Sequence, residues 1–391
     1  MTPEPFTIDV PQAVLDDLHY RLRNTRWADD FANDDWGYGV EAGYLKEVVD
    51  YWLNEYDWRA REREMNSFSH FRTQVDGVPV HFIREPGKGP NPIPLIVSHG
   101  WPWSFWDFKD IIRPLADPAA FGGDPEDAFE VIATSMPGFG FSTPLRKPGL
   151  NAYGVADLWH KLMTEQLGFD RYAAQGGDWG AMTTAQLGHK YADHLYGIHM
   201  SLTPKMDHWN NERPWDVTRG QMVPESLPPE QREEIIDIQH RIAAHVAVHM
   251  LGPQTLAYAL NDSPVGLLAW IMERRRAWSG CDGDLENSFS KDFMLDLIMI
   301  YWLTESIGTS MRIYAEAGKV PWAPSHDRTP MIEAPTGLSF FAQDVVRRNP
   351  DIEAHYNVHY VKEHPVGGHF AAAERPDAIV EDVRATFREL R

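Results

Sequence analysis

Hydrophobic residues recur along the chain at two spacings, which predict strands in some regions and helices in others. Residues 71–85 alternate around an Asp-Gly pair, a pattern typical of a β-hairpin. Three further apolar runs, of the kind that forms buried strands, lead into His99, Pro137 and Asp178. Because probable helices separate these runs, we expect a parallel or mostly parallel sheet. The three loops should then meet in one crevice at the carboxyl ends of the strands.

Helical spacing dominates the regions on either side of these strands. Near the N-terminus, Val14, Leu18 and Leu22 recur every four residues and predict one apolar helix face. Farther along, five residues step by three or four and trace one face of a second helix: Ile235, Ile238, Ile242, His245 and His249. Strand character returns at 336–344 and 355–361, before a final helix. The pattern predicts an α/β fold with an all-helical insertion.

These patterns divide the chain into four predicted segments. A helical N-terminal extension covers residues 1–65, and the first part of an α/β core covers 66–205. A helical cap follows over 206–330, and residues 331–391 complete the core. With 391 residues, the chain is long enough for one large core and such a cap.

Composition narrows the class of protein. A formal net charge of −21 disfavours nucleic acid and anionic membrane surfaces as partners. The single cysteine, Cys281, excludes an intrachain disulfide and suits a reducing compartment. We find no signal-peptide pattern, and the densest apolar run, residues 297–303, is far shorter than a membrane helix. We therefore expect a soluble, cytoplasmic protein.

The most informative motif is "QGGDWG", residues 175–180, which places Asp178 between a predicted strand and a predicted helix. Small residues around a central nucleophile form a sharp turn of this kind in α/β-hydrolases, where the nucleophile is usually Ser. A carboxylate at that position suits displacement at a saturated carbon, because it forms an alkyl ester that water can cleave. Epoxides and alkyl halides are such electrophiles. A plain acidic residue in a Gly-rich loop is the alternative interpretation.

A base and an acid follow Asp178 in the order usual for hydrolase triads. His369 lies in "VGGHF", and Asp344 directly follows a predicted strand, where it could orient the imidazole. Glu353 and Glu363 are rival acids, although neither follows a clear strand. With 17 histidines in the chain, only the position of His369 relative to the two aspartates favours a catalytic role over that of a surface side chain.

The loop "HGWPWS", residues 99–104, offers backbone amides close to the predicted nucleophile. We expect the amide of Trp101, together with that of Trp179, to form an oxyanion hole. An ordinary turn containing Pro102 is the alternative.

Together these motifs resemble the microsomal-type, or juvenile-hormone-type, epoxide hydrolases of the α/β-hydrolase fold. The resemblance extends over nearly the whole chain and includes the N-terminal stretch 44–68 and the motifs "HGWPWS", "MPGFGFS", "QGGDWG", "ALNDSPVG", "RIYAEA" and "GGHFAAAERPD". No stretch of the sequence matches the family's membrane anchor, so from the resemblance we expect a soluble bacterial-type member. The resemblance implies that Asp178 is the nucleophile, His369 the base and Asp344 the charge-relay acid.

The same resemblance extends to the proton donors. In the family, cap tyrosines donate a hydrogen bond to the epoxide oxygen, and Tyr314 matches one of them. His245 occupies the position of the second tyrosine, so it is either a second donor or a buried core histidine. A metal site at His245 and His249 is disfavoured, because the Glu of the H-E-x-x-H motif is missing.

Two further departures concern the loop and the acid. Trp103 replaces the usual Gly of the family's loop, so we expect Trp103 and the neighbouring Pro102 to border the substrate pocket and narrow it. Asp344 stands where many relatives have Glu, which keeps the charge but shortens the reach.

The predicted function is therefore epoxide hydrolysis to a vicinal diol through an aspartyl ester, with no cofactor and no metal. A haloalkane or haloacid dehalogenase using the same Asp and His is one alternative. A hydrolase fold that binds a hydrophobic ligand without turnover is another. We expect a small hydrophobic epoxide as the partner, no nucleic acid, no membrane, and a possible homodimer.

Overall fold

A sheet of nine strands forms the centre of the described protein. The structure is a computed structural model, and it describes residues 2–210 and 223–391. Its strands are β1 (Glu4–Phe6), β2 (His70–Val75), β3 (Val78–Glu85), β4 (Ile93–Ser98), β5 (Phe129–Ser135), β6 (Tyr172–Gly176), β7 (Leu195–Met200), β8 (Ile332–Phe341) and β9 (Tyr356–His364). They lie in the order β1-β2-β3-β5-β4-β6-β7-β8-β9.

The sheet is mostly parallel, as predicted. The three pairings from β1 to β5 are antiparallel, and the five pairings from β5 through β4 to β9 are parallel. The parallel strands β4, β5 and β6 are buried on both faces, which explains why they appear in the sequence as continuous apolar runs instead of alternating ones.

The predicted hairpin joins β2 to β3. Its two turn residues, Asp76 and Gly77, have φ angles of 50° and 76°. Positive φ at both central residues is the geometry of the turn that matches the twist of paired strands, and Asp-Gly accommodates it at low cost.

Helices cover the sheet and separate its strands. They are α1 (Gln12–Arg23), α2 (Ala42–Asn54), α3 (Trp58–Met65), α4 (Lys109–Ala116), α5 (Ala152–Lys161), α6 (Trp179–Lys190), α7 (Pro229–Leu251), α8 (Pro253–Asp262), α9 (Pro264–Trp278), α10 (Lys291–Leu303), α11 (Ile307–Lys319), α12 (Pro350–Glu353), α13 (Ala371–Glu374) and α14 (Pro376–Arg388). In the part of the chain that is described, no helix is long and apolar enough to cross a membrane.

The N-terminal region differs from the prediction in two details. It is not wholly helical, because β1 pairs with β2 at the edge of the sheet. On α1 the buried face consists of Leu15, Leu18 and Leu22, whereas Val14 is 38% exposed. Steps of three and four residues keep Leu15 on the same stripe as the other two leucines. The assignment of Val14 to that face was therefore wrong.

Helices α7 to α11 all lie between β7 and β8, in the region predicted as a cap. Residues 211–222 of that predicted cap lie outside the described residues, and the division of the chain into four segments stays a prediction. The sequence pattern did not predict β7, because "LYGIHM" has neither a continuous apolar run nor strict alternation.

Candidate functional site

Asp178 lies on a sharp turn between β6 and α6. Its backbone has φ 51° and ψ −125°, a conformation that a non-glycine residue adopts at a cost of about 1–3 kcal/mol. The turn also requires glycine on either side. A Cβ on Gly176 would lie 2.3 Å from the carbonyl oxygen of Gly180, and one on Gly180 would lie 1.9 Å from that of Ser98. These close approaches explain the small residues of the "QGGDWG" motif and hold the carboxylate at the carboxyl end of the sheet.

The loop after β4 presents an amide to this carboxylate. The backbone N–H of Trp101 donates to Asp178 Oδ1 over 2.7 Å. A Cβ on Gly100 would lie 2.0 Å from the same oxygen, so only glycine permits this approach. Trp179, the other predicted oxyanion residue, is the first residue of α6. Its amide therefore lies at the helix N-terminus, where the dipole favours negative charge.

His99 holds the loop after β4 in place through contacts of both ring nitrogens with the backbone. It accepts a hydrogen bond at Nε2 from the amide of Met136, over 3.1 Å, and its Nδ1 lies 2.9 Å from the carbonyl oxygen of Gly100. Burial lowers the pKa of His99 to about 4, so the ring is neutral. Pro137, which we expected to share the crevice, borders a separate cavity of about 260 Å³.

His369 lies between the two aspartates. Its Nδ1 is 3.0 Å from Asp344 Oδ1, and its Nε2 is 3.3 Å from Asp178 Oδ2. Asp344 also accepts a hydrogen bond from the amide of Val346 and is 2% exposed. The parallel pairing of β8 with its neighbours thus brings together three residues that are up to 191 positions apart in the chain.

The rival acids lie elsewhere. Both Glu353 and Glu363 pair with the guanidinium of Arg348, away from the imidazole. Of the three acids considered, the structure places Asp344 against His369.

The imidazole of His369 is held in its charged form. Burial by itself would lower the pKa, but the charges of Asp344 and Asp178 and their hydrogen bonds outweigh burial and raise the pKa of His369 to about 10. An imidazolium between two carboxylates is therefore the state of this site at neutral pH.

Two side chains from the cap helices approach the site from above. Tyr314 on α11 packs its ring edge-on to Trp179, with 4.8 Å between centroids. His245 on α7 lies 5.4 Å from the Tyr314 ring and stacks on Trp101 at 5.4 Å. Burial and the Asp178 carboxylate raise the pKa of Tyr314 well above 10. Burial and the neighbouring cations lower the pKa of His245 well below its usual range, so both side chains are neutral.

The expectation for Trp103 and Pro102 needs correction. Trp103 is 1% exposed and packs against the segment that carries His369, with its ring 5.9 Å from the His369 ring and 5.6 Å from that of Phe370. A Cβ on Gly177 would lie 2.8 Å from its indole. Neither Trp103 nor Pro102 is among the residues that line the cavity at Asp178. The indole of Trp103 therefore packs against His369 and does not narrow the pocket.

Two cap residues that the sequence reading missed hold the site together. Arg275 on α9 forms a fully buried ion pair with Asp107 at 2.6 Å and donates to the carbonyl oxygen of Pro102. Trp278, at the end of the same helix, accepts a hydrogen bond at its carbonyl from the amide of His369 over 2.8 Å. No sequence signal marks these contacts, because each joins segments more than 90 residues apart.

A cavity of about 460 Å³ opens directly over Asp178, within the size range of small-molecule sites. Its lining is predominantly apolar. Aromatic side chains surround the carboxylate: Trp179, Trp209, Trp278, Tyr314, His245 and His369. Aliphatic side chains from α7, from the segment after β7 and from the segment after β8 line the remainder. The arrangement can hold an apolar molecule with one electrophilic carbon against the carboxylate.

Two family models and several known proteins match this chain. A family model described as the N terminus of epoxide hydrolases matches residues 3–108, and one described as the alpha/beta hydrolase fold matches residues 93–227. The chain is 38% identical to a putative epoxide hydrolase of Stigmatella aurantiaca, covering 99% of this chain and 85% of that protein. It is 33% identical to juvenile hormone epoxide hydrolase 2 of Ctenocephalides felis, covering 98% and 85%.

A solved structure shares the fold over the full chain. The epoxide hydrolase of Aspergillus niger superposes with a TM-score of 0.81 at 29% identity, covering 100% of this chain and 97% of that one.

Proposed function

Because the chain belongs to the epoxide hydrolase family of the α/β-hydrolase fold, we propose that it converts an epoxide to a vicinal diol through a covalent ester on Asp178. The observation that carries the proposal is the arrangement at one cavity. A carboxylate on a strained turn lies within hydrogen-bonding distance of an imidazole, and a buried phenol from the cap packs beside the same turn.

In the first step, a carboxylate oxygen of Asp178 attacks one epoxide carbon. A C–O ester bond forms, the C–O bond of the ring breaks, and the ring oxygen takes the proton of Tyr314. The phenol stays protonated before this step, since burial and the Asp178 charge keep its pKa high. It gives up the proton only to the far more basic alkoxide.

His245 is proposed as the second hydrogen-bond donor to the ring oxygen. It reaches the same cavity as Tyr314, and its neutral state means that it donates through a ring N–H. Replacing His245 with Phe should lower epoxide turnover far more than stability. The exposed His240 on the same helix is a matched control, since His240→Phe should change neither. Equal turnover in both variants would remove His245 from the mechanism.

In the second step, water attacks the ester carbonyl carbon and His369 takes its proton. Esterification removes the negative charge that faces Nε2, so the imidazolium can give up its proton. That proton restores the Tyr314 phenol, which lost its own proton in the first step, and leaves His369 neutral and able to act as a base. Asp344 remains at Nδ1 to keep the ring oriented. The Trp101 amide, which already contacts Oδ1, is placed to stabilise the oxyanion. Collapse of this intermediate breaks the ester C–O bond, and the departing alkoxide takes the proton of the new carboxyl group. The diol leaves, Asp178 is again a carboxylate and His369 is again protonated, as in the free enzyme.

The dehalogenase alternative uses the same Asp and His, but it needs donors for a halide ion. Trp179 could supply one. The buried phenol of Tyr314 at the cavity favours an epoxide, because an alkoxide leaving group needs a proton and a halide does not. A ligand-binding protein without turnover would have no need for the strained Asp178 turn or the Asp178–His369–Asp344 arrangement.

We further propose a small hydrophobic epoxide as the substrate, a cytoplasmic location and a possible homodimer. The predominantly apolar lining of the cavity supports the first of these.

The decisive experiment is a single turnover in ¹⁸O water with enzyme in excess over an aryl-substituted epoxide. We expect the diol of this single turnover to be unlabelled, because its new oxygen comes from Asp178. A parallel run with the epoxide in excess should give labelled diol, because each hydrolysis of the ester puts an oxygen of water into Asp178. Label in the single-turnover diol would mean that water attacks the epoxide directly and that the ester mechanism is wrong. Release of halide from haloalkanes, without diol from epoxides, would favour the dehalogenase.

A further inference from the structure

We propose that the cavity selects terminal epoxides carrying one long, unbranched apolar chain, which lies along helix α7 with the epoxide at the closed end. The inference rests on the proposed function and names the substrate class of the same site.

The length of the cavity follows from α7. Six of its residues line the cavity: Ile235, Ile238, Gln239, Ile242, His245 and Val246. Of these, Ile235, Ile238, Ile242 and His245 follow one another at steps of three or four along the helix. With a helical rise of 1.5 Å per residue, Ile242 lies about 4.5 Å from His245 along the axis, Ile238 about 10 Å and Ile235 about 15 Å. Three bonds of an extended chain span about 3.8 Å. The stripe therefore accommodates a chain of roughly 12 bonds.

A second part of the lining, from the segment after β8, is also aliphatic. Val345 and Val346, directly after the charge-relay acid, and Ile352 on α12 form it. Lys205 is a cation in this lining, and it is ion-paired with Asp207 at 3.3 Å. The aliphatic side chains of these two segments favour methylene groups over polar substituents, because each buried polar group would lose its hydration.

The cavity closes at the end where the chemistry takes place. Beyond His245, the next residue on the same stripe is His249, which is fully buried and does not line the cavity. Trp101 packs edge-on to His249 at 4.4 Å, and the indole N–H of Trp270 donates to His249 over 3.3 Å. This packed wall leaves space for a small group only on the far side of the epoxide. One long substituent and one small one define a terminal epoxide.

Chain length should therefore control specificity. Each methylene buried in the channel adds up to about fourfold in kcat/KM, until the channel is filled. Tryptophan substitutions along α7 should cut this gain at different lengths, since each blocks the channel at a different distance from Asp178. Such position dependence is specific to a chain lying along the helix, and general damage to the site would not produce it.

The test measures kcat/KM for 1,2-epoxybutane, 1,2-epoxyoctane and 1,2-epoxydodecane. In wild type the values should rise with length. In Ile235→Trp, the ratio of kcat/KM for 1,2-epoxydodecane to that for 1,2-epoxybutane should fall at least tenfold. The same ratio for 1,2-epoxyoctane should stay close to the wild-type value. Ile242→Trp should lower both ratios, and the control His240→Trp, at an exposed position of the same helix, should lower neither. A flat wild-type profile, or equal loss at every length in Ile235→Trp, would overturn the proposal.

A binding measurement separates this inference from the proposed function. Trp179, Trp209 and Trp278 line the cavity, so unreactive 1-alkanols should quench tryptophan fluorescence with affinities that rise with chain length. Suppose that epoxides are not hydrolysed, but the affinity for alkanols rises with chain length and Ile235→Trp removes this rise for the longest alkanols. The chain-binding channel is then supported and the proposed epoxide chemistry is wrong. If epoxides are hydrolysed but the affinity for alkanols does not rise with chain length, the proposed channel is wrong and the proposed function is unaffected.

Discussion

The charge state of His369 provides the sharpest physical prediction. Asp178→Asn keeps the size and the Oδ1 acceptor of the side chain but removes the negative charge that faces Nε2 at 3.3 Å. The pKa of His369, raised to about 10 in the native protein, should fall toward its ordinary 6.5. The fall is incomplete, because Asp344 remains at Nδ1. The imidazole should then titrate close to neutral pH, where the wild-type ring stays charged.

The magnitude follows from linkage. A histidine with a raised native pKa contributes stability that is fully present below pH 6.5 and is lost as pH rises to about 10. Integrated over that window of about 3.5 pH units, the contribution is on the order of 5 kcal/mol at 1.36 kcal/mol per unit. Asp178→Asn should abolish a large part of this pH dependence, so the two proteins should converge in unfolding free energy as the pH approaches 10.

The assay is urea unfolding of both proteins from pH 6.5 to 10, together with NMR titration of the labelled imidazole. Other groups contribute equally to both proteins and cancel in the difference. Asp237→Asn, at an exposed position on α7, serves as the charge-matched control. If His369 titrates at the same pH in wild type and Asp178→Asn, the Asp178 carboxylate does not raise the pKa of His369. Esterification of Asp178 would then not release the His369 proton, and the proposed second step would be wrong.

Three further outcomes are expected. Arg275→Met should lower the unfolding free energy by about 3–5 kcal/mol in urea, since it leaves Asp107 buried without a counter-charge; adding Asp107→Leu should recover much of that loss. Asp382, with a lowered pKa and a 2.6 Å contact to His364, contributes stability that disappears as pH falls through its native pKa. Asp382→Asn should therefore flatten the fall of Tm in acid. Burial raises the pKa of Asp296 to about 7, so stability is lost from about pH 4 to 7, where the carboxyl group ionises in the unfolded chain but stays protonated in the native protein. Asp296→Asn should accordingly gain stability over wild type at pH 8 but not at pH 4, as calorimetry would show.

The sequence determined the elements whose patterns are local. The strands that precede Asp178 and Asp344 are buried on both faces, so they appear as apolar runs bounded by turn residues. The glycines around Asp178 record close approaches within one short turn, which is why "QGGDWG" can be recognised without a structure. The hairpin at Asp76 and Gly77 was equally clear, since turn geometry depends on neighbouring residues alone.

Only the tertiary structure decided what depends on distant contacts. The sequence placed Trp103 at the pocket, but in the folded protein its ring packs edge-on against the imidazole of His369 and beside Phe370. It could not find the pairing of Arg275 with Asp107, because the two charges are 168 residues apart and carry no local signal. Whether His369 is charged depends on burial and on two carboxylates from separate strand ends. Local patterns select residues and elements, whereas long-range packing sets the distances and the dielectric that give those residues their chemistry.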